Sequence, residues 1–405
     1  MKILGVISEY NPFHNGHELH ISLARARSNC DFAVALMSGN FMQRGEPAMI
    51  DKYLRTRMAL ACGFDMVIEL PLYYACASAE YFAHNAVRIL NACGIVSSLA
   101  FGVESDKLDT LAQTALKLAN ETDGYRAALR AALKSGDSYP RARDKATPGA
   151  PTQPNDILAV EYLKALYKTE SNIKPIAIPR TGAGYHQEAI AGKIASATAI
   201  RHALLRNGEC QGNGLSQHVA DTMPEAAWNI LRDAFVKGNV VRGLDIYERE
   251  FRYALLSHPQ LDEVMDISEG LHNRFLEMSG KFAMPSEILS AVKTKRYTHT
   301  RLCRAALHIL LDIRRTDFER YAAEDISYIR VLGMKKTAGV LMNALTDAAS
   351  CPIVTTLTPA KKTLCKDAWV MLEKEITTTD IYYLGLENGR WVAPGAEWRE
   401  RFVVM

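Results

Sequence analysis

The chain has 405 residues, 48% of them apolar and 23% charged, with a formal net charge of +3. That length exceeds one ordinary domain and the composition is that of a packed globular protein, while so small a charge excludes a surface built wholly for nucleic acid. No apolar run approaches the ~20 residues that span a bilayer, the start lacks the cleavage site of a secretory signal, and the eight cysteines are scattered without Cys-x-x-Cys pairs, so we expect reduced thiols in a cytoplasmic protein without a membrane anchor.

In chain order, Lys2–Ile7 is short, apolar and β-branched and predicts a buried strand. Asn11-Pro12 breaks it into a loop, and Glu18–Arg25 predicts a helix with Leu19, Leu23 and Ala26 on one face. Between them lies His14-Asn15-Gly16-His17, two imidazoles flanking a glycine where a strand meets a helix N-terminus. Free backbone N–H groups and the helix dipole favour an anion there. A metal site with His20 as third ligand is the rival reading, although no Cys or second acidic residue lies close by to complete a zinc set.

Strands are then predicted over 32–37, 66–70 and 98–103, and helices over 51–62 and 77–93, closed by Gly63 and Gly94. This βαβα alternation argues a parallel, Rossmann-like sheet that binds ligands at the carboxyl ends of its strands. Those ends carry 9–17, 38–43, 69–71 and 102–104. Residues 106–139 read as helical, and Pro140–Pro154, with four prolines, as a loop. Asn155 opens a helix with a polar cap, beside Asp156. Residues 173–179 form a further strand leading to a basic loop, 180–186. Ser196 starts a helix carrying Arg201. A domain boundary falls in the Gly-rich stretch 207–224. Residues 225–345 read as mainly helical, and 346–405 as a small α+β appendage with strands over 352–357 and 381–386. The segment Lys293–Arg304 holds five permanent cations, Lys293, Lys295, Arg296, Arg301 and Arg304, around Tyr297 and without an acid. Phosphate contact with base stacking is one reading, and a solvated helix start the other.

These residues resemble a known family. His14-Asn-Gly16-His17 is similar to the His-x-Gly-His signature of the nucleotidyltransferase superfamily. Ala195-Ser196-Ala-Thr198-Ala-Ile200-Arg201 resembles its Ile-Ser-x-Thr-x-Ile-Arg signature, with Ala for the first Ile. Longer blocks, Glu9–His17, Met37–Ala48, Phe64–Pro71, Phe101–Ser105 and Lys293–Leu302, resemble the tRNA(Met) cytidine acetate ligase family, the matches running to about residue 340. The resemblance implies an ATP-dependent ligase that makes acetyl-adenylate from acetate and acetylates N4 of the wobble cytidine in elongator tRNA(Met). Residues 1–210 would be the catalytic domain, 220–345 the tRNA-binding one and 346–405 the appendage.

By the same resemblance His14, His17 and Arg201 are the catalytic residues. Ile7, Ser8, Glu9, Tyr10, Asn11, Pro12, Phe13, His14, Asn15, Gly16, His17, Glu18, Leu19, His20, Gly102, Asn155, Arg180, Ser196, Thr198 and Arg201 bind ATP. Gly16 would leave room for adenine or ribose, and Arg201 with Ser196 and Thr198 would hold the β- and γ-phosphates. Arg180 is suited to stack on adenine or pair with phosphate. Lys293, Lys295, Arg296, Tyr297, Arg301 and Arg304 are the expected tRNA contacts, and Ser38, Gly39, Asn40, Gln43, Arg44 and Lys52 are candidates for acetate or cytidine. Mg²⁺ is expected on the triphosphate, with no protein residue named as its ligand. Two other readings are transfer of a nucleotide to a small phosphate-bearing metabolite, whose enzymes are typically under half this length, and an RNA-binding protein with a non-catalytic nucleotide site.

Overall fold

The computed structural model describes residues 1–105, 108–137, 139–147, 149–180, 192–206, 217–258, 260–389, 391–400 and 402–405. The loop expected at 180–186, apart from Arg180, and most of the boundary expected at 207–224 lie outside them. The strands are β1 (Ile3–Ser8), β2 (Phe32–Ser38), β3 (Met66–Leu70), β4 (Ser98–Val103), β5 (Lys174–Pro179), β6 (Ile329–Met334), β7 (Ile353–Val354) and β8 (Val403–Val404), in spatial order β5-β4-β1-β2-β3-β6-β7, with β8 also on β6. β1 to β5 pair in parallel, as the alternation predicts. Apolar side chains leave both faces of these strands: Val34, Leu36 and Ile68 enter one core, and Ala33, Ala35, Met37 and Val67 the other. A parallel sheet needs such two-sided cover because its crossover helices lie on both faces.

Three expectations are corrected. Residues 381–386 are not a strand, because the helix Lys366–Leu384 takes up 381–384 and Gly385 caps it. Its buried residues Leu372, Glu375, Ile376, Thr379, Tyr382 and Tyr383 recur at helical spacing. The proline-rich 140–154 segment is not all loop, since Tyr139–Ala146 is helical; a proline in a first turn gives up no intrahelical hydrogen bond. The face of the first helix, Asn15–Ser28, that enters the core carries Ile21 and Ala24, whereas Ala26 is exposed.

The sheet also crosses residue 345. β6 pairs antiparallel to β3, and β7 and β8, from the last 60 residues of the chain, pair with β6. Charge closes this junction. Lys52 Nζ lies 2.6 Å from Glu69 Oε1 and 2.5 Å from Glu397 Oε1, while Arg330 lies 3.0 Å from Glu69 and 2.5 Å from Glu397. All four side chains are buried, and each cation has two anionic partners, which is what holds charge in an interior. Burial, and then the Glu69 charge, push the neighbouring Glu375 carboxyl up to about 8.

Candidate active site

The residues after β1 carry the histidine pair into the first helix. Tyr10 and Phe13 are buried, and the Tyr10 ring meets the edge of His17 at 4.9 Å between centroids. Phe13 also lies against that imidazole, at 5.5 Å between centroids, so both ATP-site candidates pack on His17. His14 caps the Asn15–Ser28 helix, its Nδ1 accepting from the Gly16 N–H at 3.1 Å. The His14 N–H donates to His17 Nδ1 at 3.3 Å. The rings stack with centroids 3.7 Å apart. Both Nδ1 atoms are acceptors, so a neutral ring carries its proton on Nε2. Burial, then the Arg180 and Arg201 charges, pull His14 down to about 3. Burial, then His14 and Arg180, take His17 well below its ordinary value. Two neutral Nε2–H donors at a helix N-terminus suit anionic phosphate oxygens.

Gly16 has a local reason to be glycine. A Cβ there would lie 2.9 Å from His14 Cε1 and 3.0 Å from Nδ1, so the missing side chain makes room for the histidine that caps the helix. Asn15 ties this turn to distant chain, donating from its side chain to the carbonyls of Lys193 (2.8 Å) and Asp221 (2.9 Å). Burial brings His20 down to about 4, and its Nε2 has no partner. Among the described residues no three His, Cys, Asp or Glu side chains are grouped to hold a metal, so His20 does not complete a triad with the pair.

Arg201 comes from the helix Ala197–Arg206. Its Nη1 donates to the Asn11 carbonyl at 2.8 Å, and Nη2 lies 3.6 Å from Glu46. Ser196 caps that helix, its Oγ accepting from the Ala199 N–H at 3.0 Å; Thr198 is half-buried. Glu9 accepts from the Gln43 N–H at 2.7 Å, and burial raises its carboxyl against the pull of that bond and of Arg44, Arg201 and Arg55.

On the other side of β1, the Arg180 N–H donates to the Val103 carbonyl at 2.9 Å. A Cβ on Gly102 would meet Arg180 Cγ at 3.5 Å, an ordinary contact, so no protein atom demands glycine there. Asn155 does not cap its helix, which begins at Pro154 with Gln153 before it. Its Nδ2 donates to Glu104 Oε1 at 2.7 Å and its N–H to Oε2 at 3.2 Å, while Asp156 Oδ1 accepts from the Glu104 N–H at 2.8 Å. Glu104 therefore orients the Asn155 amide; sequence reasoning put it at a strand end but missed the role, since nothing local links residues 51 apart.

The acetate and cytidine candidates divide. Asn40 and Lys52 are interior, Asn40 accepting from the Lys52 N–H at 2.8 Å and donating to Thr379 Oγ1 at 3.1 Å. Gly39 lies on Glu69, 2.9 Å from where its Cβ would be. Ser38 is buried with its hydroxyl unpartnered. Gln43 and Arg44 are half-buried.

The basic segment divides too. Lys293, Lys295 and Arg296 are exposed, Arg296 pairing with Glu269 at 2.8 Å. Tyr297 is buried, with Arg301 over its ring at 5.2 Å. Arg301 also donates to Ser268 Oγ at 2.8 Å. Arg304 is buried and bonds Asp266 at 2.9 Å, so it offers no surface contact: on the His299–Leu311 helix its position falls on the packed side.

A family model described as HIGH Nucleotidyl Transferase matches residues 1–391. The tRNA(Met) cytidine acetate ligase of Thermoanaerobacter sp. (strain X514) is 38% identical over 397 residues, 96% of each chain. That of Acetivibrio thermocellus is 37% identical over 422 residues, covering all of both. Two crystal structures of Thermotoga maritima TmcAL superpose over the full length of both chains. The apo form has a TM-score of 0.93 at 32% identity, and the form bound with alpha-thio ATP 0.91 at 31%.

Proposed function

Since the chain belongs to the tRNA(Met) cytidine acetate ligase family and is a ligase, we propose that it activates acetate as acetyl-adenylate and acetylates N4 of the wobble cytidine of elongator tRNA(Met). An acetate oxygen attacks the α-phosphorus of ATP, the bond to the bridging oxygen breaks, and pyrophosphate leaves. The cytidine amine then attacks the acetyl carbon, loses a proton, and AMP departs. The observation that carries this reading is the His14–His17 stack with both Nδ1 atoms accepting backbone N–H groups. It leaves two Nε2–H donors, uncharged and fixed in place, for the oxygens on which charge builds. Arg201, held on the Asn11 carbonyl, would take the leaving pyrophosphate. Arg180 and the Asn155 amide flank β4 and suit the nucleoside end. Mg²⁺ would enter with the triphosphate as part of the substrate.

Residues 1–210 would carry this chemistry and 220–345 the tRNA contacts, with Lys293 and Lys295 the exposed cations best placed for phosphate. The last 60 residues, whose strands flank β6, would complete the sheet. Pyrophosphate exchange into ATP tests the first step: it should require acetate and vanish in His17→Ala. Exchange that ignores acetate would sink the ligase chemistry, and full exchange in His17→Ala would sink the residue assignment.

A further inference from the structure

The 39–51 loop between β2 and the Lys52–Ala61 helix has no role in the chemistry above, yet it contacts both Glu9 and Arg201. It folds back on itself: the Met42 N–H donates to the Glu46 carbonyl at 2.8 Å, the Gly45 N–H to the Met42 carbonyl at 2.9 Å, and Phe41 bridges Pro47. On one side of this turn the Gln43 N–H holds Glu9. On the other the Glu46 carboxylate lies 3.6 Å from Arg201. The Met49 N–H donates to Asn11 Oδ1 at 2.8 Å, and Asn11 supplies the carbonyl on which Arg201 rests.

The tip of the turn is fixed from outside. Gly45 has φ +81° and sits against the helix His299–Leu311 so closely that a Cβ would be 2.3 Å from Arg304 N and 2.4 Å from Cys303 C. Backbone cannot retreat as a side-chain end can, and the positive φ disfavours any other residue. Glu46 follows immediately. Its side chain is half exposed, so its position depends on the seating of this turn and not on burial.

We propose that Glu46 is a positioning residue for Arg201, and that the His299–Leu311 helix sets its place through Gly45. Asn11 takes one guanidinium nitrogen and Glu46 faces the other, so the fork is ordered before the triphosphate arrives and less freedom is lost on binding. The helical part of the chain, which follows the exposed Lys293 and Lys295, thereby helps to build the phosphate site. This inference rests on Arg201 contacting the triphosphate.

The test uses the full chain and acetate-dependent pyrophosphate exchange. Glu46→Gln keeps size and loses charge; kcat should fall about five- to twentyfold, with the acetate KM unchanged, since only ordering of one side chain is lost. Glu46→Asp should recover part of the rate. Gly45→Ala should reproduce the loss, and the double variant should be no worse than the poorer single one, because both act through Arg201. Wild-type kinetics in Glu46→Gln, or a lower ATP KM there, would overturn the proposal, the latter making Glu46 a competitor of phosphate. Additive losses would overturn the part played by Gly45. If Gly45→Ala does not fold, the half-exposed Glu46 variants decide alone. Arg201→Met separates the two readings: an active Arg201→Met removes the phosphate role of Arg201 and the inference with it, whereas an inactive one beside a normal Glu46→Gln removes the inference only.

Discussion

Gly16→Ala should separate activity from stability. Alanine at a helical position is favoured over glycine by up to about 1 kcal/mol, so the backbone gains. The new Cβ meets His14 Cε1 at 2.9 Å, about half an ångström short of ordinary contact. His14 is buried and cannot swing away freely, because His17 stacks on it at 3.7 Å. The ring must shift, which breaks the Gly16 N–H bond to Nδ1 and frees the tautomer. Misplacement by about 1 Å costs on the order of a hundredfold in rate, so half of that, plus loss of the oriented donor, gives about ten- to a hundredfold in kcat. Thermal melting beside acetate-dependent pyrophosphate exchange measures both quantities. A folded Gly16→Ala enzyme with the wild-type rate would contradict the His14 geometry, and a large drop in melting temperature would contradict the claim that only the ring is displaced.

Because His14 is held down at about 3 and His17 well below its ordinary value, the exchange rate should show no limb at 6.5 as pH falls; such a limb would mean that a histidine titrates normally. Depressed histidines contribute stability above 6.5 that is lost as pH falls through their folded values, so denaturation midpoints should decline over that acid range. Glu375 has the opposite sign: with its carboxyl raised from 4.5 to about 8, stability is present below 4.5 and lost as pH rises to about 8, so Glu375→Gln should raise the melting temperature at pH 8.5 and change it little at pH 5. Lys293→Glu with Lys295→Glu should weaken tRNA binding and lower its log–log salt slope by about 1 to 2, read by filter binding across a salt series; an unchanged slope would place the phosphate contacts elsewhere.

What the sequence made legible is local. β1 to β5 are short apolar runs bounded by Gly, Pro or polar turns, and the histidine pair needs only four residues to show its place before a helix. What it hid depends on distant chain. β6 is interrupted by Arg330, which reads as surface until Glu69 and Glu397 are brought to it. Lys52 reads as a polar residue following the second strand and so as a ligand contact, yet its charge serves the same interior cluster. Arg304 counted as part of a basic run because Asp266, its partner, lies 38 residues away. The clamp of Glu104 on Asn155 and the approach of Glu46 to Arg201 are likewise products of tertiary packing, which no spacing reports.

Elongator tRNA(Met) incubated with the enzyme, ATP and labelled acetate, then digested and analysed by mass, decides the proposed reaction. One labelled acetyl group on the wobble cytidine, appearing with AMP and pyrophosphate and absent with His17→Ala, is the expected outcome. An unmodified anticodon while ATP is consumed, or label on any other nucleotide, would contradict it.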